Sequence, residues 1–314
     1  MNVGMITWDQ AGQIYPIRLL ATILAEAGHN IKILLPYSLE DKDTDLNDPQ
    51  VIQEKLAGLL ELIRDCDVLG LSFYSRHVEM VRQVCQAIKE TYPEKIILSG
   101  GIHSTLRPEE TLEFSDYVCV GEGEINLPVF IDTVESNGAL DDIPGIFPKG
   151  GYNTARSFSG APKVIDNLDD NPVAELFFDR TFVYSPSSKT WIKRGPSLFM
   201  PEDDDGNARH SFYLFPDRGC AQKCTYCVRP LMREIINIKK IRKRSPEHII
   251  KELVALKKEV DNIKIVMIYS DDFLAWKTSE LESFVKAYTE AKVGIPFKLY
   301  FLRRPIRSIK WMFS

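Results

Sequence analysis

Between residues 2 and 123 the sequence alternates short apolar runs with amphipathic stretches. The runs are NVGMIT (2–7), NIKILLPY (30–37), DVLGLSFY (67–74), KIILSGG (95–101) and DYVCVGEG (116–123). In the first stretch between them, Ile17, Leu20, Leu24 and Ala27 recur at helical spacing, and Gly28 follows as a stop. Ile52, Leu56, Leu59, Leu60 and Ile63 repeat the spacing within 51–65, as do Val81, Val84 and Ile88 within 77–91. Strands separated by helices must run parallel, because a crossover of this length returns the chain to the same end of the sheet. The expected fold class is therefore α/β, with a doubly wound parallel sheet over residues 1–135. In such sheets ligands bind beyond the carboxyl ends of the strands.

The pattern breaks over 136–208. NGALDDIPGIFPKGGYN and SPSSKTWIKRGPS are rich in Gly, Pro and Ser, which reads as a linker region with room for a small hairpin or two. PEDDDGN (201–207) resembles a calcium loop in composition only. The first ligand position, two before Asp203, holds Pro201, so a solvated acidic turn is expected. A second βα series occupies 209–314. HSFYLFPDRG runs toward a cysteine loop, Ser245 and Pro246 open a helix, IKIVMIYSDD (263–272) reads as a strand, 278–292 as a helix and PFKLYFL (296–302) as a third strand.

Charge and cysteine usage narrow the partners. A formal net charge of -5 over 314 residues gives no electrostatic reason to expect nucleic acid. No run approaches the roughly eighteen uninterrupted apolar residues of a membrane span. The opening MNVGMITWDQ lacks a signal-peptide pattern, and six cysteines in so long a chain do not make a secreted disulfide scaffold. A cytoplasmic chain is expected, with Cys66, Cys85 and Cys119 buried and reduced inside apolar runs.

The other three cysteines stand together. GCAQKCTYCV (219–228) spaces Cys220, Cys224 and Cys227 as CxxxCxxC, entered through the flexible Gly219. Structural zinc takes four protein ligands, and the nearby fourth candidate is His210; no second CxxC exists. Iron–sulfur clusters usually take four thiolates as well. A cube held by three cysteines leaves one iron open, and an open position is where a substrate or cofactor coordinates.

With Tyr226 just before the last cysteine, and the loop following the first strand of a βα series, this stretch resembles the signature of the radical S-adenosylmethionine (SAM) superfamily. The resemblance implies a 4Fe–4S cluster on Cys220, Cys224 and Cys227 with SAM chelated to the open iron. It implies that an electron from the reduced cluster cleaves the sulfonium and releases a 5′-deoxyadenosyl radical. An electron donor such as flavodoxin or ferredoxin is the implied partner. Tyr226 would lie near the SAM adenine, and Ser270, Asp271 and Asp272 near its amino group. An aromatic packed beside the cluster and a polar strand end capping the next helix are the plainer readings of these residues. KKIRKRS (239–245) is read as a solvated basic face.

In the first domain the strand ends read LSFYS (71–75), LSGGIHST (98–105) and VGEGE (120–124), and no GxGxxG follows the first strand, so a dinucleotide site is not expected. The stretch LSGGIHSTLRPEETLEFSDYVCVGEGE resembles the cobalamin-binding domain found ahead of radical SAM modules. With the domain order, that resemblance extends over most of 1–300. It implies a corrin site lined by Ser72, Gly100, Gly101 and the backbone around Gly121 and Glu122. The DxHxxG motif that supplies a histidine to cobalt in many cobalamin proteins is missing: His29, His77 and His103 each lack the Asp two residues earlier. Cobalamin would then bind without that ligand, unless the domain has kept its fold and lost the cofactor. His103, beside Gly101, is a candidate ligand contact.

The combined expectation is a cobalamin-binding radical SAM protein that performs radical methyl transfer or rearrangement on an unidentified small molecule. A cofactor-holding sensor without turnover and a zinc-stabilised module are the alternatives. The resemblance also implies a (β/α) partial barrel, and 209–314 has room for only about half its units, since a complete barrel takes ~250 residues. An incomplete radical SAM barrel, truncated or interrupted at the C-terminus and able to hold a cluster without turning over alone, is expected; completion by a separately encoded C-terminal half is the alternative.

Overall fold

Strand β1 (Asn2–Thr7) buries every residue from Val3 onward, except that Gly4 has no side chain to bury. Full burial is what a parallel strand covered on both faces requires. In the computed structural model, which describes residues 1–8, 14–36, 49–140, 142–152, 162–194, 211–260 and 263–300, β1 is flanked by two parallel neighbours. These are β2 (Asn30–Leu35) and β3 (Val68–Ser72), and β4 (Ile96–Gly100) and β5 (Tyr117–Cys119) extend the parallel run beyond β3. His210 and the PEDDDGN turn lie outside the described residues.

Period-two alternation sends the strand side chains to two helical layers. Val3, Met5, Ile31 and Ile33 pack with Ile17 and Leu24 of α1 (Tyr15–Glu26) and with Phe130 and Ile131 of α6 (Asn126–Glu135). Ile6, Leu34, Leu69 and Leu71 face the other way. They meet Ile52, Leu59 and Ile63 of α2 (Pro49–Ile63) and Val81, Val84 and Ile88 of α3 (Val78–Thr91). Each such aliphatic side chain stabilises the sheet by about 1.5–3 kcal/mol on full burial. The short helices α4 (Gly101–Leu106) and α5 (Pro108–Leu112) connect β4 to β5.

The Gly- and Pro-rich middle of the chain also builds the sheet. β6 (Ile146–Pro148) pairs antiparallel with β5, β7 (Thr181–Ser185) pairs parallel with β2, and β8 (Thr190–Lys193) returns antiparallel to β7. The resulting order is β6-β5-β4-β3-β1-β2-β7-β8.

A second, three-stranded sheet follows. From β9 (Ser211–Leu214) the chain runs through the two-residue β10 (Asp217–Arg218), the cysteine loop, α7 (Arg229–Ile235) and the two-residue β11 (Arg242–Lys243). It continues through α8 (Pro246–Glu259), β12 (Ile265–Tyr269), α9 (Thr278–Glu290) and β13 (Phe297–Tyr300). β12 lies parallel between β9 and β13. Ser245 caps α8 as expected, its hydroxyl accepting from the His248 amide at 3.1 Å, with Pro246 in the first turn. Ile249, Leu253 and Leu256 of α8 join Phe212 and Val266 in the same apolar cluster as Ile17 and Leu24, so the two sheets share one core. Among the described residues no helix is long and apolar enough to cross a membrane.

Candidate functional site

The cysteine loop is an excursion closed at its base. β10 and β11 pair antiparallel with Asp217 opposite Lys243 and Arg218 opposite Arg242, so the chain leaves and re-enters at one point. Gly219 turns out of β10 with φ +102°, a left-handed conformation that glycine adopts without steric cost. Its amide donates to Asp271 at 2.8 Å, and the other Asp271 oxygen pairs with Arg229 at 2.6 Å. One carboxylate at the end of β12 therefore holds both ends of the loop. Asp217 lies beneath and is buried, accepting from the Ser270 hydroxyl at 2.5 Å, the Asp271 amide at 2.9 Å and the Trp276 indole at 2.6 Å. Burial raises its carboxyl above the usual range, against the pull of those donors.

Around the thiols, the Gln222 amide donates to Cys220 Sγ at 3.4 Å and the Arg229 amide to Cys227 Sγ at 3.5 Å. The Cys220 thiol faces Asp272 at 3.8 Å, and the Gln222 side chain donates to the same carboxylate at 3.3 Å. Burial, with Asp272 and Asp271 nearby, pushes the Cys220 thiol up, while the Gln222 amide opposes this. Cys220 and Cys224 are half-buried and Cys227 is exposed; Cys66, Cys85 and Cys119 are fully buried, and burial raises their thiols to about 11, 12 and 12. The three loop sulfurs do not converge as tetrahedral zinc ligands do. Among the described residues only His29, Asp132 and Glu135 bring three ligand atoms within 4.8 Å of one another, whereas thiolates on one zinc sit ~4 Å apart.

A second group of polar residues lies at the carboxyl edge of the large sheet. Register places Thr7, Ser72 and Gly100 side by side at the strand ends. Gly101 opens α4 with φ +83°, and a Cβ there would stand 2.7 Å from Ser72 Oγ. Only glycine lets the helix start so close to Ser72. His103 is buried with Nδ1 3.0 Å from Ser75 Oγ, while its Nε2 has no hydrogen-bond partner and stands 3.8 Å from the Glu110 carboxylate. His77 accepts from Arg76 Nε at 3.0 Å and leaves Nδ1 unpartnered, as is the buried Ser104 hydroxyl. Burial lowers both imidazoles, His77 to about 4.

The two groups meet through VGEGE. Gly121 has φ +91°, and a Cβ there would touch Ile236 and Pro162, each at 3.0 Å. Glu122 accepts from Arg242 through both oxygens, at 2.8 and 2.5 Å, and lies 3.3 Å from Arg218. Glu124 takes the other end of Arg218 at 2.5 Å. Further along, Glu252 of α8 bridges Arg18 of α1 at 3.3 Å and Arg244 at 2.7 Å.

The sequence-derived candidates therefore divide. Cys220, Ser270, Asp271 and Asp272 form one bonded set; Ser72, Gly100 and Gly101 form another; the Glu122 side chain is held by arginines, and Tyr226 is 83% exposed. The basic run 239–245 is not a solvated face. Lys239 and Lys240 are exposed, yet Arg242 and Arg244 are buried because alternate residues turn toward Glu122 and Glu252. Asp217, Arg218, Glu124 and Arg242 were missed by sequence reasoning. Their one signal was charged residues next to strand ends in PDRGC and GEGE.

Comparison with known proteins decides the first domain. Residues 3–131 match the B12 binding domain family.

These residues are a B12-binding domain. The chain is also 25% identical over 187 residues to the cobalamin-dependent radical SAM methyltransferase TokK of Streptomyces tokunonensis, covering 58% of this chain and 25% of that protein. It is 27% identical over 168 residues to the hopanoid C-3 methylase of Methylococcus capsulatus, covering 51% and 28%. It is thus homologous to cobalamin-dependent radical SAM methyltransferases, and spans about a quarter of the length of these curated relatives. In fold it is similar to the radical SAM methyltransferase TsrM from Kitasatospora setae. The TsrM structure with tryptophan and a SAM analog gives a TM-score of 0.61 at 14% identity, covering 93% of this chain and 52% of that one. The TsrM structure with cobalamin and a [4Fe-4S] cluster gives 0.58 at 15% identity, covering 92% and 52%. The B12-binding domain, with β6 to β8 added, forms the large sheet of this fold.

Proposed function

We propose that this chain carries the cobalamin and 4Fe–4S sites of a radical SAM enzyme that transfers a methyl group, or rearranges a small molecule, by a radical route. The observation that carries the reading is the docking of a three-cysteine loop, at the carboxyl end of a parallel βα sheet, against a B12-binding domain. Two backbone amides already point at the loop's sulfurs, as donors to cluster thiolates would. The crown of the large sheet fits a ligand rich in amides. Ser104 Oγ and His103 Nε2 are buried without hydrogen-bond partners there, His103 Nε2 standing 3.8 Å from Glu110, and Gly100 and Gly101 keep the edge clear of side chains. The segment after β1, WDQAGQIYP, offers no histidine, so cobalamin would be held without one from that loop.

Cys220, Cys224 and Cys227 would hold the cluster as thiolates, and Asp271 would keep the loop closed around it. When bound, the cluster with SAM supplies a one-electron route to a substrate radical, and cobalamin supplies a methyl carrier. Asp272 and Ser270 would face the SAM amino group from the end of β12, with Tyr226 available to cover the adenine. The three parallel βα units would form the start of a partial barrel, and a flavodoxin- or ferredoxin-type donor would deliver the electron. Anaerobic reconstitution followed by iron, sulfide and zinc analysis tests the reading. About four iron and four sulfide per chain are expected, lost on changing any of the three loop cysteines to Ala and kept in Cys66→Ala. Stoichiometric zinc with no iron would overturn it.

A further inference from the structure

We propose that Glu122 and Glu124 form, with Arg218 and Arg242, the joint that fixes where the cysteine loop stands over the B12-binding domain. The proposal rests on the reading above for what the loop carries, and on the ion cluster itself for how it is held. All four are positioning residues.

The argument starts in the ribbon. β10 and β11 are two residues each, and their register sets Arg218 directly opposite Arg242. Like charges facing one another across a strand pair are destabilising, and two backbone pairs offer little to offset that. Asp217 opposite Lys243 and the Asp217 hydrogen bonds hold one end of the ribbon. The Arg218–Arg242 end calls for an outside anion, and the B12-binding domain supplies two. Glu122 lies between the guanidiniums and bonds to both; Glu124 takes the free side of Arg218. Two cations and two carboxylates balance, and the Arg242 side chain is 3% exposed and that of Glu124 6% exposed. A second Arg242 bond, to the Ile165 carbonyl at 2.6 Å, fixes the guanidinium from the connecting segment.

The cluster reaches the thiols through covalent neighbours. Arg218 is followed by Gly219 and Cys220, so the backbone that its paired guanidinium anchors is continuous with the first cysteine. At the other end, Gly121 leaves no space for a side chain between the loop after β5 and Ile236, which follows α7. The GEGE residues thus contact both ends of the excursion while belonging to the domain that would hold the corrin. The glycines allow the close approach, and the glutamates set its register.

Two measurements test the joint on the full chain. In the metal-free protein, hydrogen exchange of peptides covering 216–228 should quicken about tenfold in the Glu122→Gln, Glu124→Gln double variant, with β1 and β3 unchanged. Unchanged exchange at 216–228 overturns the proposal. In the protein loaded with cobalamin and reduced cluster, the cobalt(II) electron paramagnetic resonance signal should be broadened by the neighbouring cluster spin. The broadening should fall in the double variant at equal iron and cobalamin content. It should return in the exchange variant Glu122→Arg, Arg242→Glu, which restores opposite charges at one contact. Broadening that survives in the double variant overturns the proposal. If wild type takes up no cluster or no cobalamin, the functional reading fails and the exchange measurement alone decides the joint. Should the double variant not fold, Glu124→Asp keeps the charge, shortens its reach to Arg218, and should show the same two changes more weakly; no change in either would count against the joint.

Discussion

Arg18 on α1 and Glu252 on α8 meet at 3.3 Å with side chains 6% and 0% exposed, and Arg244 closes on the same carboxylate from the other side at 2.7 Å. Two guanidiniums thus share one buried counter-charge at the seam between the sheets. Tyr15 stacks on Phe215 beside them, with centroids 5.5 Å apart, and Arg18 lies 5.3 Å from the Phe212 ring centroid.

Glu252→Ala strands both arginines in an apolar seam. Removing one partner of a buried pair costs about 3–5 kcal/mol, so urea unfolding should show a much lower midpoint. Glu259→Ala, at the exposed end of the same helix, should fall within about 0.5 kcal/mol of wild type. Equal midpoints for Glu252→Ala and wild type would show that the seam does not depend on this ion cluster.

Asp271→Asn keeps the shape and removes the charge that holds Gly219 and Arg229 together. Loss of a supporting partner at a metal site typically weakens metal affinity by about ten- to a hundredfold. Iron retained after chelator challenge should fall accordingly while the far-ultraviolet circular dichroism stays unchanged. Asp169→Asn, whose carboxylate caps Ser245 instead, should retain iron as wild type does.

Acid should weaken the fold through its buried imidazoles. Burial, with Arg76 adding to it, lowers His77 from 6.5 to about 4. The folded pKa lies below the unfolded one, so the unfolded chain binds the extra proton. Stability is then full above pH 6.5 and is lost as pH falls toward 4, by roughly 3 kcal/mol at most from this group. Burial lowers His103 and His248 too, and their contributions have the same sign. Urea midpoints measured across that window should decline, and His77→Leu should decline less steeply. A parallel decline in the variant would remove His77 from the account.

Gly101→Ala combines a left-handed backbone with a Cβ 2.7 Å from Ser72 Oγ, so it should cost about 1–3 kcal/mol. Gly70→Ala, in the middle of β3 with nothing within 4 Å of the new Cβ, should be close to neutral. Thermal melts of the two variants separate a steric requirement at the sheet edge from a general cost of losing glycine.

The parallel strands β1 to β5 were legible because each is an apolar run bounded by polar residues, and α1 to α3 because their apolar spacing holds for two turns or more. The additions to the sheet were not. IFP and TWIK are too short to show a period, and TFVYS gains its meaning only from pairing with β2. The cysteines were legible as a set because spacing within one loop is local. Their supports were not, because Asp217 with Ser270 and Glu122 with Arg242 are brought together only by the tertiary fold. For the same reason KKIRKRS read as a solvated face: the burial of Arg242 depends on Glu122, more than a hundred residues away, which no window of sequence contains.

The two-residue ribbon under the cysteine loop has a thermodynamic consequence. Gathering three thiols from a free chain requires the loss of loop-closure entropy at the moment of metal binding. Here that ordering has already occurred, in the Arg218–Arg242 register and the Asp271 clasp. Small zinc domains that fold only around their ion collapse when it is withdrawn. With a cluster on its thiols, this loop would instead behave as a socket set in finished walls: emptied by a chelator, it would leave both sheets standing and remain ready to be filled again.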